Sequence, residues 1–274
     1  MRLGLSSAAF YGRLETEDAA RKLRAFDLNT CEIFLETRSE YTREFGLLLK
    51  ERLGGLPCRS IHAKGTQFEG DLFGASLRQR EDAFGILEGV LDCGQALDAK
   101  VYVFHGQPDY RGGLNAARVP RLAETAGRIC ELSRERGIST AWENVSWCAL
   151  KRPEDAAYLK DVCPDLCFVL DIKQAFEAGA DSFAFLPVMG ARLIHVHVLD
   201  YDASGRLCLP GRGIFDFRRL RRELDAIDYQ GDVILEPYSA QAEDEQALAE
   251  SICYLRSVLC ISPEASTFSL PGAF

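Results

Sequence analysis

Short β-branched or aromatic runs alternate with longer stretches of helical period along almost the whole chain, and the pair repeats eight times. This order is typical of a parallel sheet covered by helices, because two parallel strands need a crossover connection between them. Each predicted strand is short and mostly apolar, as strands buried on both faces are. The predicted strands are Leu3–Ser6, Cys31–Leu35, Arg59–His62, Val101–His105, Ser139–Trp142, Leu166–Leu170, Leu193–Val198 and Asp232–Leu235.

Amphipathic segments fill the intervals between these strands. Their apolar residues recur every three or four positions, which is the spacing of one helix face. The stretch from Gly179 to Met189 has the weakest pattern, because Pro187 and two Phe interrupt it. The predicted helices are Glu15–Phe26, Tyr41–Leu53, Arg78–Leu97, Arg118–Arg136, Pro153–Lys160, Gly179–Met189, Phe217–Asp225 and Glu243–Leu259.

The chain length and the lack of a linker favour one domain. A chain of 274 residues could hold two average domains, but α/β barrels of about 250 residues run as a single one. No Pro/Gly/Ser-rich linker or low-complexity stretch divides the eight units. We therefore predict a single (β/α)8 TIM barrel over residues 1–260, rather than an open doubly wound sheet, with an irregular extension over residues 261–274.

Composition and charge exclude several classes of protein. With 47% hydrophobic and 27% charged residues, the chain is typical of a soluble globular protein with a sizeable core. The net charge of -9 gives no general attraction to phosphate backbones or anionic membranes. The apolar runs are far shorter than the roughly 20 residues that span a bilayer. We expect no nucleic-acid partner and no membrane span.

The ten cysteines are scattered along the chain. The first residues form no apolar signal segment, so we expect reduced thiols and a cytoplasmic location. Cys163 and Cys167 are the one close pair, and a single pair does not complete a zinc site.

Metal-capable side chains follow the predicted strands. In a TIM barrel the active site forms at the carboxyl ends of the strands, so the residue type at these positions is informative. All four histidines lie in or at the end of predicted strands. His195 shares a strand face with His197 but lies one layer deeper, where we expect a structural role. The strand-end residues are Glu36, His62, His105, Glu143, Asp171, His197 and Glu236.

Two Glu, one Asp and one His among these residues form a hard, anionic set of ligands. Converging carboxylates are too costly to bury without a cation, and the mixed oxygen and nitrogen set suits Mn, Mg, Co or Zn. Such an ion polarises a carbonyl and its neighbouring hydroxyl, and carboxylates beside it can act as acid and base. The predicted ligands of one divalent ion are Glu143, Asp171, His197 and Glu236.

Seven motifs follow one another along nearly the whole chain, namely SIHAKG, VYVFHG, TAWENV, FVLDIKQA, LIHVHVLD, LPGRGIFDF and VILEPY. In this order they resemble the xylose isomerase-like barrel superfamily. This group contains sugar isomerases and epimerases of the tagatose epimerase and inosose-processing kinds, and also metal-dependent AP endonucleases. The resemblance implies the same four metal ligands, with Glu143 and Glu236 handling a proton on opposite faces of a substrate carbon.

Two departures from the family pattern argue against the nuclease branch. The family has D-x-x-H after strand six, whereas Gln174 stands at the last position of that pattern here. The nuclease branch also has an Asp-x-His pair after strand seven, and no His follows His197. His62 and His105 match positions that hold further zinc ions in nucleases and line the substrate in sugar-acting enzymes, so a second ion there stays open.

Several loop residues are weaker candidates. We predict His62, His105, Gln174, Arg206 and Glu36 as substrate-binding residues. Lys64, Lys173, Arg206 and Arg212 follow strands three, six and seven, where a cation could hold a substrate, although for each alone a solvent-exposed surface role is the simpler interpretation. Gly211 and Gly213 lack the full phosphate-loop pattern and more simply shape the loop.

The sequence therefore predicts a metal-dependent sugar isomerase or epimerase that works through an enediolate, on a free or phosphorylated sugar or an inosose. A dehydratase of cyclic polyols would use the same ligands. The alternatives are an AP endonuclease-like DNA repair phosphodiesterase and a non-catalytic metal- or sugar-binding barrel. The expected partner is a small sugar or polyol, and a homo-oligomer stays open.

Overall fold

Eight parallel strands close into a barrel in the computed structural model, which describes residues 1–109 and 119–262. The barrel strands follow chain order, with a small hairpin inserted after the seventh. They are β1 (Leu3–Ser6), β2 (Thr30–Leu35), β3 (Cys58–Ala63), β4 (Val101–Phe104), β5 (Ser139–Glu143), β6 (Cys167–Asp171), β7 (Leu193–Val198) and β10 (Asp232–Leu235). β10 pairs with both β7 and β1, which closes the ring. The predicted single (β/α)8 barrel is confirmed.

Helices cover the outside of the barrel. In the described part of the chain they are α1 (Thr16–Leu23), α2 (Arg43–Leu53), α3 (Leu77–Ala96), α4 (Val119–Glu135), α5 (Pro153–Val162), α6 (Ile172–Glu177), α7 (Ser182–Met189), α8 (Phe217–Ala226) and α9 (Glu245–Val258). α6 was not predicted, because six residues are too few to show a helical period. The predicted start at Arg118, and all of the predicted extension beyond Ser262, lie outside the described residues.

Side-chain caps determine where several helices begin. Thr42 and Asp244 accept hydrogen bonds from Phe45 N and Ala247 N, at 3.1 Å in each case. Such a cap satisfies a backbone N–H that has no partner within the helix. The predicted helix from Gly179 begins later, at Ser182, because Asp181 caps it. Local polar residues therefore shift helix ends by a few residues from the apolar pattern.

In the part of the chain that the structure describes, the buried apolar residues form two clusters. The larger one packs the outer faces of the strands against the helices. The smaller one consists of Val101, Val103, Ala141 and Val169, on β4, β5 and β6. On its strand, each of these four residues lies two or four positions before His105, Glu143 or Asp171. Side chains alternate between the two faces of a strand, so all of them point to the same, inward-facing side. A small apolar layer thus lies beneath the polar strand ends.

The loop after β7 contains a hairpin of β8 (Asp200–Tyr201) and β9 (Leu207–Cys208). The carboxylate of Asp200 organises the rest of this loop. It accepts hydrogen bonds from the backbone N–H groups of Gly211 at 3.2 Å, Gly213 at 3.1 Å and Phe215 at 3.0 Å. The two glycines therefore shape the loop, and their N–H groups are already bonded to a carboxylate of this chain.

None of the helices in the described ranges combines the length and the apolar character that a membrane crossing requires.

Candidate active site

Four side chains from neighbouring strand ends meet at the carboxyl end of the barrel. Each is buried, and one ligand atom from each lies within 4.8 Å of those of the other three. Glu143 and Asp171 end β5 and β6, His197 lies near the end of β7, and Glu236 directly follows β10. A first-row divalent ion holds oxygen and nitrogen ligands at about 2.0–2.2 Å, so atoms around one ion lie within about 4.4 Å of one another. Small side-chain movements would let this set hold one ion.

His197 is held with one ring nitrogen toward this set. Its Nδ1 lies 2.9 Å from Glu143 Oε1 and 3.3 Å from Glu236 Oε2. Its Nε2 lies 3.0 Å from Glu32 Oε2 on the other side of the ring. A carboxylate behind a metal-binding histidine fixes the tautomer and leaves the other nitrogen free for the ion. His197 therefore turns Nδ1 toward the other members of the candidate metal set.

Glu32 is a buried carboxylate that the sequence reasoning missed. Its Oε2 accepts a hydrogen bond from Ser60 Oγ at 2.7 Å and lies 3.2 Å from His195 Nε2. Burial favours the neutral acid, but His197 and His195 outweigh this and hold the pKa of Glu32 well below its usual range. The available signal was one charged residue within the otherwise apolar run of β2. His195 lies in this deeper layer, where the sequence placed it.

His62 and His105 form a second group beside the first. Their Nε2 atoms lie 2.9 Å apart, so one ring donates to the other. His62 Nδ1 faces Glu236 Oε1 at 3.2 Å, and His105 Nε2 lies 3.5 Å from Glu143 Oε2. Burial would lower the pKa of His62, but the carboxylates of Glu236 and Glu32 raise it to about 10. His62, His105 and Glu143 also bring ligand atoms within 4.8 Å of one another, so a second ion there stays a prediction.

His105 is oriented from behind by Glu69, another buried acid. Glu69 Oε2 accepts a hydrogen bond from the backbone N of His105 at 3.1 Å and lies 3.3 Å from its Nδ1. Glu69 Oε1 accepts a hydrogen bond from the hydroxyl of Tyr102 at 2.7 Å. A Cβ on Gly65 would lie only 2.3 Å from the Glu69 carboxyl, so this approach needs glycine. The result is that His105 turns Nε2 toward the site.

The acids of the site titrate at different pH. Burial favours the neutral form of each, but His197 outweighs it and lowers the pKa of Glu143 and, with Lys173, that of Glu236. Burial and the charges of the two Glu raise the pKa of Asp171 to about 7, against the opposing effect of Lys173. Glu143 and Glu236 are therefore ionised at neutral pH, as a proton acceptor must be.

The structure contradicts the interpretation of Lys173 as a solvent-exposed surface cation. Lys173 is only 3% exposed. Its Nζ lies 2.9 Å from Glu236 Oε2 and 3.3 Å from Asp171 Oδ2, within the candidate metal set. The ammonium also lies 4.6 Å from the centre of the Tyr238 ring. Burial alone would lower the pKa of Lys173. The negative charges of Asp171 and Glu236, with Asp171 the larger contributor, instead raise it well above its usual value. The short helix α6, which the sequence did not reveal, turns this side chain back over the end of β6.

The other predicted substrate-binding residues differ in position. Gln174 lines the cavity, and its Oε1 accepts hydrogen bonds from the N and Oγ of Ser146, both at 2.9 Å. Arg206 lies in the hairpin loop with its side chain 84% exposed and paired with Asp202. Neither Arg206 nor Glu36 is among the residues that line the cavity. Burial and the nearby Glu40 raise the pKa of Glu36 to about 7. Substrate binding by Arg206 and Glu36 thus stays a prediction without support from their position.

A cavity of about 350 Å³ opens above the metal-capable set. Its floor includes Glu143, Asp171 and Glu236, with His62 and His105 beside them. This volume lies near the lower end of the roughly 300–1,000 Å³ found for small-molecule pockets. Aromatic side chains form much of the wall, namely Tyr11, Phe34, Trp147 and Tyr238.

A closed eight-stranded barrel with metal-capable residues at its strand ends defines a class of TIM-barrel proteins with a polar, acid-rich site. The model of the xylose isomerase-like TIM barrel family matches residues 20–258, so this chain belongs to that family. The resemblance inferred from the seven motifs is confirmed.

Comparison with individual proteins finds a curated relative and solved structures to which this chain is similar. Inosose dehydratase from Glaesserella parasuis serovar 5 (strain SH0165) is 26% identical over 156 residues, which cover 49% of this chain and 51% of that protein. The chain thus matches about half the length of this curated relative. A D-psicose 3-epimerase structure determined in the presence of D-fructose has a TM-score of 0.78 at 17% identity, covering 94% of this chain and 99% of that one. The 3-keto-D-glucoside 4-epimerase of E. coli has a TM-score of 0.74 at 18% identity, with the same coverages. At these identities the structural likeness shows the shared fold.

Proposed function

We propose that this chain is a divalent-metal-dependent isomerase or epimerase of a sugar or related polyol. The observation that carries the proposal is the pair Glu143 and Glu236, two ionised carboxylates that line one cavity. The other two members of the candidate metal set, Asp171 and His197, come from β6 and β7, which lie between β5 and β10 around the barrel. When bound, a divalent ion would polarise a substrate carbonyl and make the neighbouring C–H more acidic.

The residues of the chain would divide the proton transfer between two sides of the cavity. Glu143 comes from β5 and Glu236 from the end of β10, which are separated around the barrel by β6 and β7. One carboxylate would remove a proton from the carbon beside the carbonyl. The other, after taking up a proton from solvent, would deliver that proton to the opposite face. His62 contacts Glu236 and His105 approaches Glu143, so each proposed acid–base residue has a histidine that orients it.

The cavity walls suit a small polyhydroxylated molecule. Trp147 is 39% exposed and Tyr238 is 46% exposed, so their rings are open to pack on the apolar face of a sugar. Gln174, His62 and His105 provide polar groups that could bind hydroxyls. A pocket of mostly apolar walls with a few converging polar groups is the usual form of a small-molecule site.

Hydrogen exchange tests the proposal directly. The protein is stripped with a chelator, reloaded with Mn²⁺ and incubated in deuterated water with a panel of ketoses, aldoses and inososes, free and phosphorylated. We expect deuterium at a carbon next to the carbonyl of at least one substrate, and none with the stripped protein. Protein that binds Mn²⁺ and sugar without any exchange would instead be a non-catalytic binding barrel.

A dehydratase of cyclic polyols is a second candidate, favoured by the match to inosose dehydratase over about half of the chain. Removal of a proton beside a carbonyl is the first step of both reactions, so exchange alone does not separate them. Mass spectrometry of the product does. An isomerase or epimerase keeps the mass of the substrate apart from deuterium, whereas a dehydratase product has lost one water.

A further inference from the structure

Lys173 lies where a metal ion would need to bind. We propose that the Lys173 ammonium and a divalent ion compete for the same two carboxylate oxygens, so that this chain binds its metal only when Lys173 moves aside. This inference rests on the metal site of the proposed function. It concerns a residue that fills the third position of the D-x-x-H family pattern, beside the ligand Asp171.

The hydrogen bonds of the two acids identify the contested atoms. Asp171 Oδ1 accepts the backbone N–H of Gln174 at 2.9 Å, and Glu236 Oε1 faces His62 Nδ1 at 3.2 Å. The oxygens left to face the centre of the set are Asp171 Oδ2 and Glu236 Oε2. These are the two atoms that Lys173 Nζ contacts, at 3.3 Å and 2.9 Å. An ion bound by both acids would therefore take the partners of the ammonium.

Charge makes joint occupation unfavourable. A divalent ion and an ammonium that share two oxygens lie within about 4 Å of each other, and their repulsion is strong in a partly dehydrated site. Without either cation, Glu143, Asp171 and Glu236 would be buried together with only the neighbouring histidines to balance their charge. Binding either the ammonium or the divalent ion, but not both, balances the charge of the acids and avoids repulsion between the two cations.

The structure offers Lys173 a place outside the set. Lys173 lines the cavity beside Tyr238, and its Nζ already lies 4.6 Å from the centre of that ring. A lysine has a flexible four-carbon stem, and an aromatic face attracts an ammonium. Rotation of the stem toward the Tyr238 side would leave the charge in the cavity, facing the substrate rather than the metal ligands.

Metal affinity measures the competition without relying on activity. Chelator-treated wild type, Lys173→Met and Lys173→Gln are titrated with Mn²⁺ by calorimetry. Lys64→Met is the matched control, because Lys64 lines the same cavity but bonds to Tyr11 and touches none of the four ligands in the described contacts. If Lys173 occupies the set most of the time, its removal should tighten Mn²⁺ binding by about tenfold or more, by the arithmetic of a partly populated binding state. Lys64→Met should bind Mn²⁺ like the wild type.

Thermal unfolding separates competition from a simple structural bridge. Without metal, Lys173→Met should melt below the wild type, because three buried acids have lost a cation. With saturating Mn²⁺ most of this difference should disappear, since the ion replaces the ammonium. Equal or weaker Mn²⁺ binding by both Lys173 variants would overturn the proposal, as would variants that stay unfolded even with Mn²⁺.

The proton-exchange assay shows whether the proposed function falls with this inference. The wild type could exchange substrate C–H in a Mn²⁺-dependent way while the Lys173 variants bind Mn²⁺ with unchanged affinity. That result would contradict the competition and leave the proposed function standing. If no variant binds Mn²⁺ and no sugar exchanges, both are wrong.

Discussion

Asp171 uses its two carboxylate oxygens for different purposes. Oδ1 caps α6 through the backbone N–H of Gln174, and Oδ2 faces the candidate metal set. Asparagine can take over the cap, since Asn and Asp are both preferred there, but it lacks the negative charge that attracts a cation. The two functions can therefore be separated by substitution.

Asp171→Asn and Asp171→Ala should both lose the divalent ion on dialysis, because each removes an anionic ligand from the candidate site. Asp171→Ala should in addition lower the free energy of unfolding by about 0.5–2 kcal/mol, through loss of the helix cap. Elemental analysis and denaturant unfolding of the metal-free proteins measure the two effects. Metal content equal to wild type in either variant would contradict the assignment of Asp171 as a ligand.

Glu236 is the proposed acid–base residue whose contacts are most numerous. Glu236→Gln keeps the shape and one ligand oxygen but removes the proton acceptor. Turnover, or substrate proton exchange, should fall by about 100-fold or more, while metal is partly retained. Glu250→Gln, an exposed glutamate of α9 that pairs with Arg212, is the control and should behave like the wild type. Exchange at the normal rate by Glu236→Gln would leave Glu236 as a ligand only.

At the scale of elements, β2 and β7 together build a polar layer beneath the site. β2 brings Glu32 into the barrel, and β7 brings His195 and His197 against it. These strands are not neighbours, because β1 and β10 separate them around the ring. The Glu32 contact with His197 therefore crosses the barrel interior and depends on its closure.

Glu32→Gln should weaken divalent-metal binding by about 10- to 100-fold, the usual cost of losing a carboxylate behind a metal-binding histidine. The glutamine amide is nearly the same size as the glutamate side chain. It lacks the negative charge that strengthens the hydrogen bond from His197 Nε2–H. Calorimetric titration with Mn²⁺ measures the change. Ser60→Ala is a useful comparison, since it removes a neighbour of Glu32 without touching His197, and we expect a smaller effect. Wild-type affinity in Glu32→Gln would mean that Glu32 has no part in orienting His197.

At the scale of the whole molecule, charge and ligand number both bear on the nuclease alternative. The net charge of -9 provides no general attraction to a DNA duplex. Gln174 stands where the family pattern has a histidine, and its side-chain oxygen is bonded to Ser146. The described residues therefore lack one of the ligands that the nuclease pattern requires.

We expect the purified protein to hold one tightly bound divalent ion per chain and to leave an abasic duplex intact at low salt. Elemental analysis and a gel-based incision assay, with Zn²⁺ and Mn²⁺ in parallel, test this expectation. An established abasic-site nuclease serves as the positive control for the substrate. Three zinc ions per chain together with efficient incision would overturn both this prediction and the sugar-directed proposal.

Much of the architecture was determined by the sequence alone. Strand and helix positions follow from local apolar periodicity, and six of the strand-end residues that it marked do line up around one end of the barrel, namely His62, His105, Glu143, Asp171, His197 and Glu236. Local patterns suffice here because parallel strands with helical crossovers bring every strand end to the same face.

Only the tertiary structure decided which atoms meet. Glu32 is far in sequence from His197, and their contact depends on barrel closure and strand register. The sequence indicated an ordinary loop cation at Lys173, because a helix of six residues is too short to show a helical period. The direction of its flexible side chain also depends on the charges around it, which the sequence does not show. Burial among acids from β6 and β10, which no local pattern encodes, is what turns that lysine from a surface residue into a cation of the site.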